Sequence, residues 1–121
     1  MSGSQLLELA TRWGWDDCVV VTVAGDLDAT EAHQLYDIVE RLDLHVGQHL
    51  DLQLEDVTFL DTVGASVLAA CHQVAVDRGC AFTLSAPSLQ CRAVLELVGL
   101  GHLLPSFDDS PGALPGMLPL T

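Results

Sequence analysis

The spacing of apolar residues along this chain changes several times, and each change marks an element. Residues 18–24 (Cys18-Val19-Val20-Val21-Thr22-Val23-Ala24) are almost continuously apolar and β-branched, which predicts a strand. So unbroken a run implies burial on both faces. Gly25-Asp26-Leu27-Asp28-Ala29 is expected to break it. Over residues 30–42 the spacing becomes helical: Ala32, Leu35, Tyr36, Val39 and Leu42 fall on one stripe. Asp28 or Thr30 stands where a cap belongs, and Arg41 lies in the last turn, where a cation is favoured.

Residues 43–48 read as a loop turning at Gly47. Residues 49–54 alternate, with Leu50, Leu52 and Leu54 on one side of a strand. An acidic turn at Glu55-Asp56 follows. A helix is expected over residues 62–77 with Ala65, Val67, Leu68, Cys71, Val74 and Ala75 inward, closed by Gly79. Residues 81–85 form a third clear strand carrying Phe82 and Leu84. Pro87 is expected to open a last helix that turns Cys91, Val94, Leu95 and Val98 inward and stops at Gly99. Residues 5–11 fit a short strand or a helical turn. Trp13 and Trp15, around Gly14, are expected to form a local core plug.

The order β, β, α, β, α, β, α implies an α/β sheet with some parallel pairing. From Ser106 onward Pro111, Gly112, Pro115, Gly116 and Pro119 exclude a regular element. The expected organisation is one domain over residues 1–105 and a Pro/Gly-rich C-terminal tail over residues 106–121.

Charge narrows the choice of function. Seventeen acidic residues stand against four arginines and no lysine, a formal net charge of -13. Such a surface repels nucleic acid and anionic lipid, so neither is an expected partner. The longest apolar run is too short to cross a bilayer. Met1-Ser2-Gly3-Ser4 carries no basic residue ahead of an apolar stretch, so no secretory leader is read here and a cytoplasmic protein is expected. Cys18, Cys71, Cys80 and Cys91 form no C-x-x-C pair and are expected to act as small buried hydrophobes.

Little in the chain suggests catalysis. Asp26 and Asp28 alone make a poor cation site and suit turn and cap roles. His45 and His49 lie four apart but are separated by Gly47, which spoils a zinc-binding helix face. His33 and His72 are expected on exposed helix faces. No nucleophile–base arrangement and no glycine-rich phosphate loop is visible, so neither enzyme activity nor a cofactor nor a metal is expected. The one position with switch-like chemistry is Thr62, a hydroxyl at a predicted helix N-terminus. There it can cap the helix, with Asp61 as the competing cap, or present itself for modification.

Three stretches together resemble the STAS domain, the fold of bacterial anti-sigma factor antagonists. Residues 23–29 resemble the G-E/D-L-D turn before the first helix. Residues 54–64 (Leu54-Glu55-Asp56-Val57-Thr58-Phe59-Leu60-Asp61-Thr62-Val63-Gly64) resemble the signature strand-to-helix segment. Ala86-Pro87-Ser88, with residues 94–100, resembles the last helix. The resemblance implies a STAS-like mixed sheet of about four strands packed with three to four helices. It also implies that Thr62, following Asp61, is the phosphoacceptor. The commonest family pattern is D-S-S-G-L; here Val63 replaces the second hydroxyl and Ala65 the leucine. Asp26, Asp28, Asp61, Thr62, Val63 and Gly64 are the implied partner contacts. The implied partner is an anti-sigma factor of histidine-kinase-like ATPase fold. An alternative is a stand-alone STAS scaffold or a transporter-associated subunit docking an ATPase through the same helix face.

Overall fold

The computed structural model describes residues 6–14 and 16–103. Trp15 and the tail expected over residues 106–121 lie outside them. Four strands form one sheet: β1 (Glu8–Trp13), β2 (Cys18–Leu27), β3 (His49–Leu60) and β4 (Ala81–Ser85). Their spatial order equals their sequence order, with β1 antiparallel to β2 and the pairs β2–β3 and β3–β4 parallel. The helices α1 (His33–Arg41), α2 (Thr62–Asp77) and α3 (Leu89–Leu97) follow β2, β3 and β4, and a 3-10 turn, Gly101–Leu103, ends the described chain.

The register explains the core. Val19 faces Leu50 and Val21 faces Leu52, while Leu50 faces Phe82 and Leu52 faces Leu84. The leucines and valines of these rows are fully buried on one face of the sheet. Ala32, Leu35 and Val39 of the α1 segment, Ala65, Leu68, Cys71 and Ala75 of α2, and Cys91 and Leu95 of α3 complete the same cluster. Truncating a residue such as Leu52 to alanine costs about 2–5 kcal/mol, because its neighbours collapse only partly into the void. Burial pushes the Cys71 thiol up to about 12.

The expectation that residues 18–24 are buried on both faces is wrong. Cys18, Val20, Thr22, His49, Asp51, Gln53, Thr83 and Ser85 are all partly exposed on the opposite face. That face is tied by polar bonds instead. Asp51 accepts hydrogen bonds from the hydroxyls of Thr83 (2.7 Å) and Ser85 (2.5 Å), and Thr83 Oγ1 lies 2.9 Å from His49 Nε2.

Both central strands run further than the sequence predicts. β2 continues through Gly25-Asp26-Leu27, and β3 continues through Glu55-Asp56 to Leu60, because the two extensions pair with each other. α1 begins at His33 rather than Thr30, and no side chain caps it. Asp28 Oδ1 instead accepts from the N–H groups of Thr30 (3.1 Å) and Glu31 (3.2 Å), stabilising the turn before the helix. α3 starts after Ser88, whose hydroxyl accepts from the Cys91 N–H at 3.1 Å, so Pro87 precedes the helix rather than opening it.

Side-chain placement brings three more corrections. Trp13 is 49% exposed on the edge strand and plugs no core. Val98 is exposed at the α3 C-cap rather than turned inward. His72 is half-buried against Phe82 (ring centroids 5.3 Å apart) rather than exposed.

Arg78 closes α2 and braces α1, donating to the carbonyls of Leu42 and Glu40, each at 2.8 Å. No described helix is long and apolar enough to cross a membrane.

Candidate functional site at the N-terminus of α2

The site grows from an irregularity in the sheet. Between the pairs Thr22–Gln53 and Leu27–Leu60 the register shifts twice, so β3 carries two residues more than β2 over the same span. Bulges of this kind bend a strand and raise its twist. They leave Glu55, Asp56, Thr58 and Phe59 exposed while Val57 and Leu60 stay buried. An open cleft of about 640 Å³ lies between Glu8 and Ala24 on one side and Glu55, Asp56 and Thr58 on the other.

β3 ends at Leu60, and Asp61 turns the chain into α2. Asp61 has extended backbone and caps the helix: its Oδ1 accepts from the Gly64 N–H at 2.8 Å. Its second oxygen accepts from the Ala29 N–H at 3.2 Å, across the gap to the β2–α1 turn. One carboxylate therefore joins the two segments that resemble the family's signatures. The close approach also needs a residue without Cβ at position 64. A Cβ on Gly64 would overlap the Leu27 carbonyl oxygen and press on Leu60.

The choice between cap and switch at Thr62 is thus resolved in part. Asp61 is the cap, and Thr62 is the first helical residue, with its side chain exposed. The N–H groups of Thr62 and Val63 precede any intrahelical acceptor, whereas Ala65 already donates to the Asp61 carbonyl at 2.9 Å. This end of the helix favours an added anion.

Two apolar side chains flank Thr62 in sequence: Phe59 is 42% exposed and Val63 is 45% exposed. Sequence reasoning included Val63 and missed Phe59. Its only signal was an aromatic residue just before the Leu60-Asp61-Thr62 junction.

Asp28 lies half-exposed beside Ala29, next to the Asp61 bond. Asp26 is placed differently. It is only 8% exposed and accepts from the Thr58 hydroxyl at 2.8 Å. Gly64 is buried. Thr62 and Val63, with half-exposed Asp28 and Asp61, thus form the accessible surface, and Asp26 and Gly64 support it from beneath.

Among the described residues no group of three or more His, Cys, Asp or Glu side chains is placed to hold a metal ion. His45 pairs with Asp43 at 3.3 Å, and His49 faces Thr83, so the two histidines do not converge.

Known proteins share this architecture. The family model described as "Mlab, STAS domain" matches residues 10–105. The anti-sigma factor antagonist SpoIIAA in its unphosphorylated form superposes with a TM-score of 0.68 at 17% identity, covering 89% of this chain and 100% of that one. An anti-sigma factor antagonist from Mycobacterium paratuberculosis gives a TM-score of 0.68 at 24% identity, covering 90% and 94%. The phosphorylated form of the Bacillus cell fate determinant SpoIIAA gives 0.64 at 17% identity, covering 84% and 95%. No curated protein sequence matches the chain. With four strands in the order of their sequence, three helices burying one face and a family match over most of its length, the chain belongs to the STAS domain family.

Proposed function

We propose that this protein is an anti-sigma factor antagonist that binds an anti-sigma factor through the surface around Thr62 and so frees the sigma factor it holds. The observation that carries the reading is the exposed Thr62 at the start of α2, left outside the Asp61 cap and flanked by exposed Phe59 and Val63. A neutral hydroxyl with exposed apolar residues near it in sequence suits a desolvated contact. Asp28 and Asp61 border that contact, while Asp26 and Gly64 hold its shape. The similar protein SpoIIAA exists in unphosphorylated and phosphorylated forms, which supports a phosphorylation switch.

Phosphorylation of Thr62 ends the interaction. A partner of histidine-kinase-like ATPase fold supplies the phosphoryl group: the Thr62 oxygen bonds to the γ-phosphorus of ATP, ADP leaves, and the hydroxyl proton passes to a base of the kinase. The product carries about -1.5 to -2 charge beside Asp61. A tenfold loss of affinity needs about 1.4 kcal/mol, and a dianion facing a dry contact supplies more than that. The site's own geometry need not change. In this role the protein works in the cytoplasm and carries out no catalytic step of its own.

A pull-down with wild-type, Thr62→Ala and Thr62→Glu proteins tests this, with bound proteins identified by mass spectrometry. Wild type and Thr62→Ala should capture an ATPase-type anti-sigma factor, and Thr62→Glu should lose it. Equal capture by all three removes the switch. Capture of a transporter ATPase by the same face assigns the protein to the transport-associated alternative.

A further inference from the structure

The strand β1 is an edge strand: it pairs with β2 on one side, and no described element pairs with the other. It lacks several of the usual protections of an edge, and its two charges are of opposite sign. There is no lysine, no proline and no bulge within Glu8–Trp13, and all its residues except Leu9 are exposed. Its charges are arranged in an informative way. Glu8 and Arg12 point to the same face, alternating with Leu9, Thr11 and Trp13. Their neighbours across β2 are Ala24 and Val20, which carry no charge. Four residues of strand separate them by roughly 13 Å, too far to pair with each other. Among the described residues neither forms an ion pair.

A second copy of the chain resolves this. When two identical antiparallel strands pair about a two-fold axis, the residue on the axis faces its own copy, so only registers centred on a residue are allowed. Centring on Leu9 places Glu8 opposite Ala10, and centring on Thr11 places Arg12 opposite Ala10. Centring on Arg12 brings like charges together. Only Ala10 on the axis sets Glu8 of each copy opposite Arg12 of the other, giving two symmetric ion pairs with a small side chain between them. The other face of the same register brings Leu9 opposite Thr11 and carries Trp13 toward Leu7 of the second copy.

We propose that β1 is a self-association edge: two copies pair antiparallel about Ala10 and join their sheets into one of eight strands. The charge pattern is self-complementary in this register alone, on a molecule whose surface is otherwise strongly acidic. The pairing uses β1 only and does not depend on what docks at Thr62.

Sedimentation velocity of the full chain over roughly 1–500 µM is the test, spanning the affinities of modest homodimers. The expected result is a concentration-dependent doubling of the 12.9 kDa monomer mass. Glu8→Arg and Arg12→Glu each place like charges opposite one another twice and should weaken the dimer by roughly tenfold. The double swap, Glu8→Arg with Arg12→Glu, restores both pairs and should return the constant to near the wild-type value. Circular dichroism should show all three variants folded, since both side chains are exposed. A chain that stays monomeric throughout overturns the proposal. So does a dimer that neither single charge reversal weakens, or a double swap no better than the singles.

Discussion

Gly64 stands directly against the Leu27 carbonyl, so that a Cβ at position 64 would occupy the space of the oxygen. The first turn of α2 is thereby seated on the end of β2. Gly64→Ala must push the helix outward, breaking the Asp61 cap geometry and opening the core near Leu60. The expected loss is about 1–3 kcal/mol of unfolding free energy, measured by urea titration. A change below 0.5 kcal/mol, the ordinary size for a harmless surface substitution, would mean that the seating is loose.

Asp61 holds two backbone N–H groups, from Gly64 and Ala29. Asp61→Ala removes a helix cap, a loss of about 0.5–2 kcal/mol, and the long-range bond with it. Asp61→Asn keeps one side-chain oxygen acceptor and should lie between alanine and wild type. Amide exchange should quicken at Ala29 as well as at Gly64 in the alanine variant. Protection unchanged at Ala29 would show that the cross-segment bond contributes nothing.

Phe59 and Val63 are exposed, so their removal should spare the fold and damage recognition. Under the function proposed above, Phe59→Ala should lower affinity for the partner about tenfold or more, equivalent to 1.4 kcal/mol, with stability within about 0.5 kcal/mol of wild type. Calorimetric titration reads the affinity, and thermal unfolding provides the control. Full affinity in Phe59→Ala moves the docking surface elsewhere.

The Cys71 thiol predicts how the protein behaves in alkali. Its folded-state value of about 12 lies above the unfolded reference of 9.0. Between those values the unfolded chain has lost a proton that the folded chain keeps. Stability from this group is therefore level below pH 9 and falls as pH rises beyond it, by at most about 1.4 kcal/mol per pH unit. Cys71→Ala, once corrected for its lost packing, should flatten that part of the stability curve. A thiol reagent at pH 8 should also modify partly exposed Cys18 before buried Cys71.

Arg78 donates to two carbonyls at the end of α1. Those groups have no helical partner of their own. Arg78→Ala should cost about 1–3 kcal/mol, and Arg78→Lys should recover only part of it, since an ammonium lacks the forked geometry. Thermal unfolding of both variants distinguishes the shared clamp from a simple charge effect.

How far the sequence disclosed this molecule differs from element to element. The ranges expected for α2 and β4 coincide with the observed ones, because clear periodicity there ends at Gly79, whose φ of +75° favours glycine. The second half of β3 was hidden. Its buried residues, Leu54, Val57 and Leu60, lie three apart, since each register shift turns the strand over by one position. No period-two reading finds them. Gly25 looked like a strand breaker but lies within β2, with φ +95° and the Leu6 carbonyl packed where a side chain would be. The position of Thr62 at the start of α2 was legible from its neighbours. The Asp61–Ala29 bond was not, because its ends lie thirty-two residues apart and only the folded sheet brings them together.

Under the function proposed above, that single carboxylate has a further meaning for recognition. By fastening a turn and a helix start to one another before any encounter, it removes motions that a visiting surface would otherwise have to quench. Association then forfeits less disorder, and the energy of each new touch goes more fully into the complex. Under that function, a rigid landing place of this sort is also unforgiving: a dianion added at Thr62 would be answered by departure of the partner rather than by yielding.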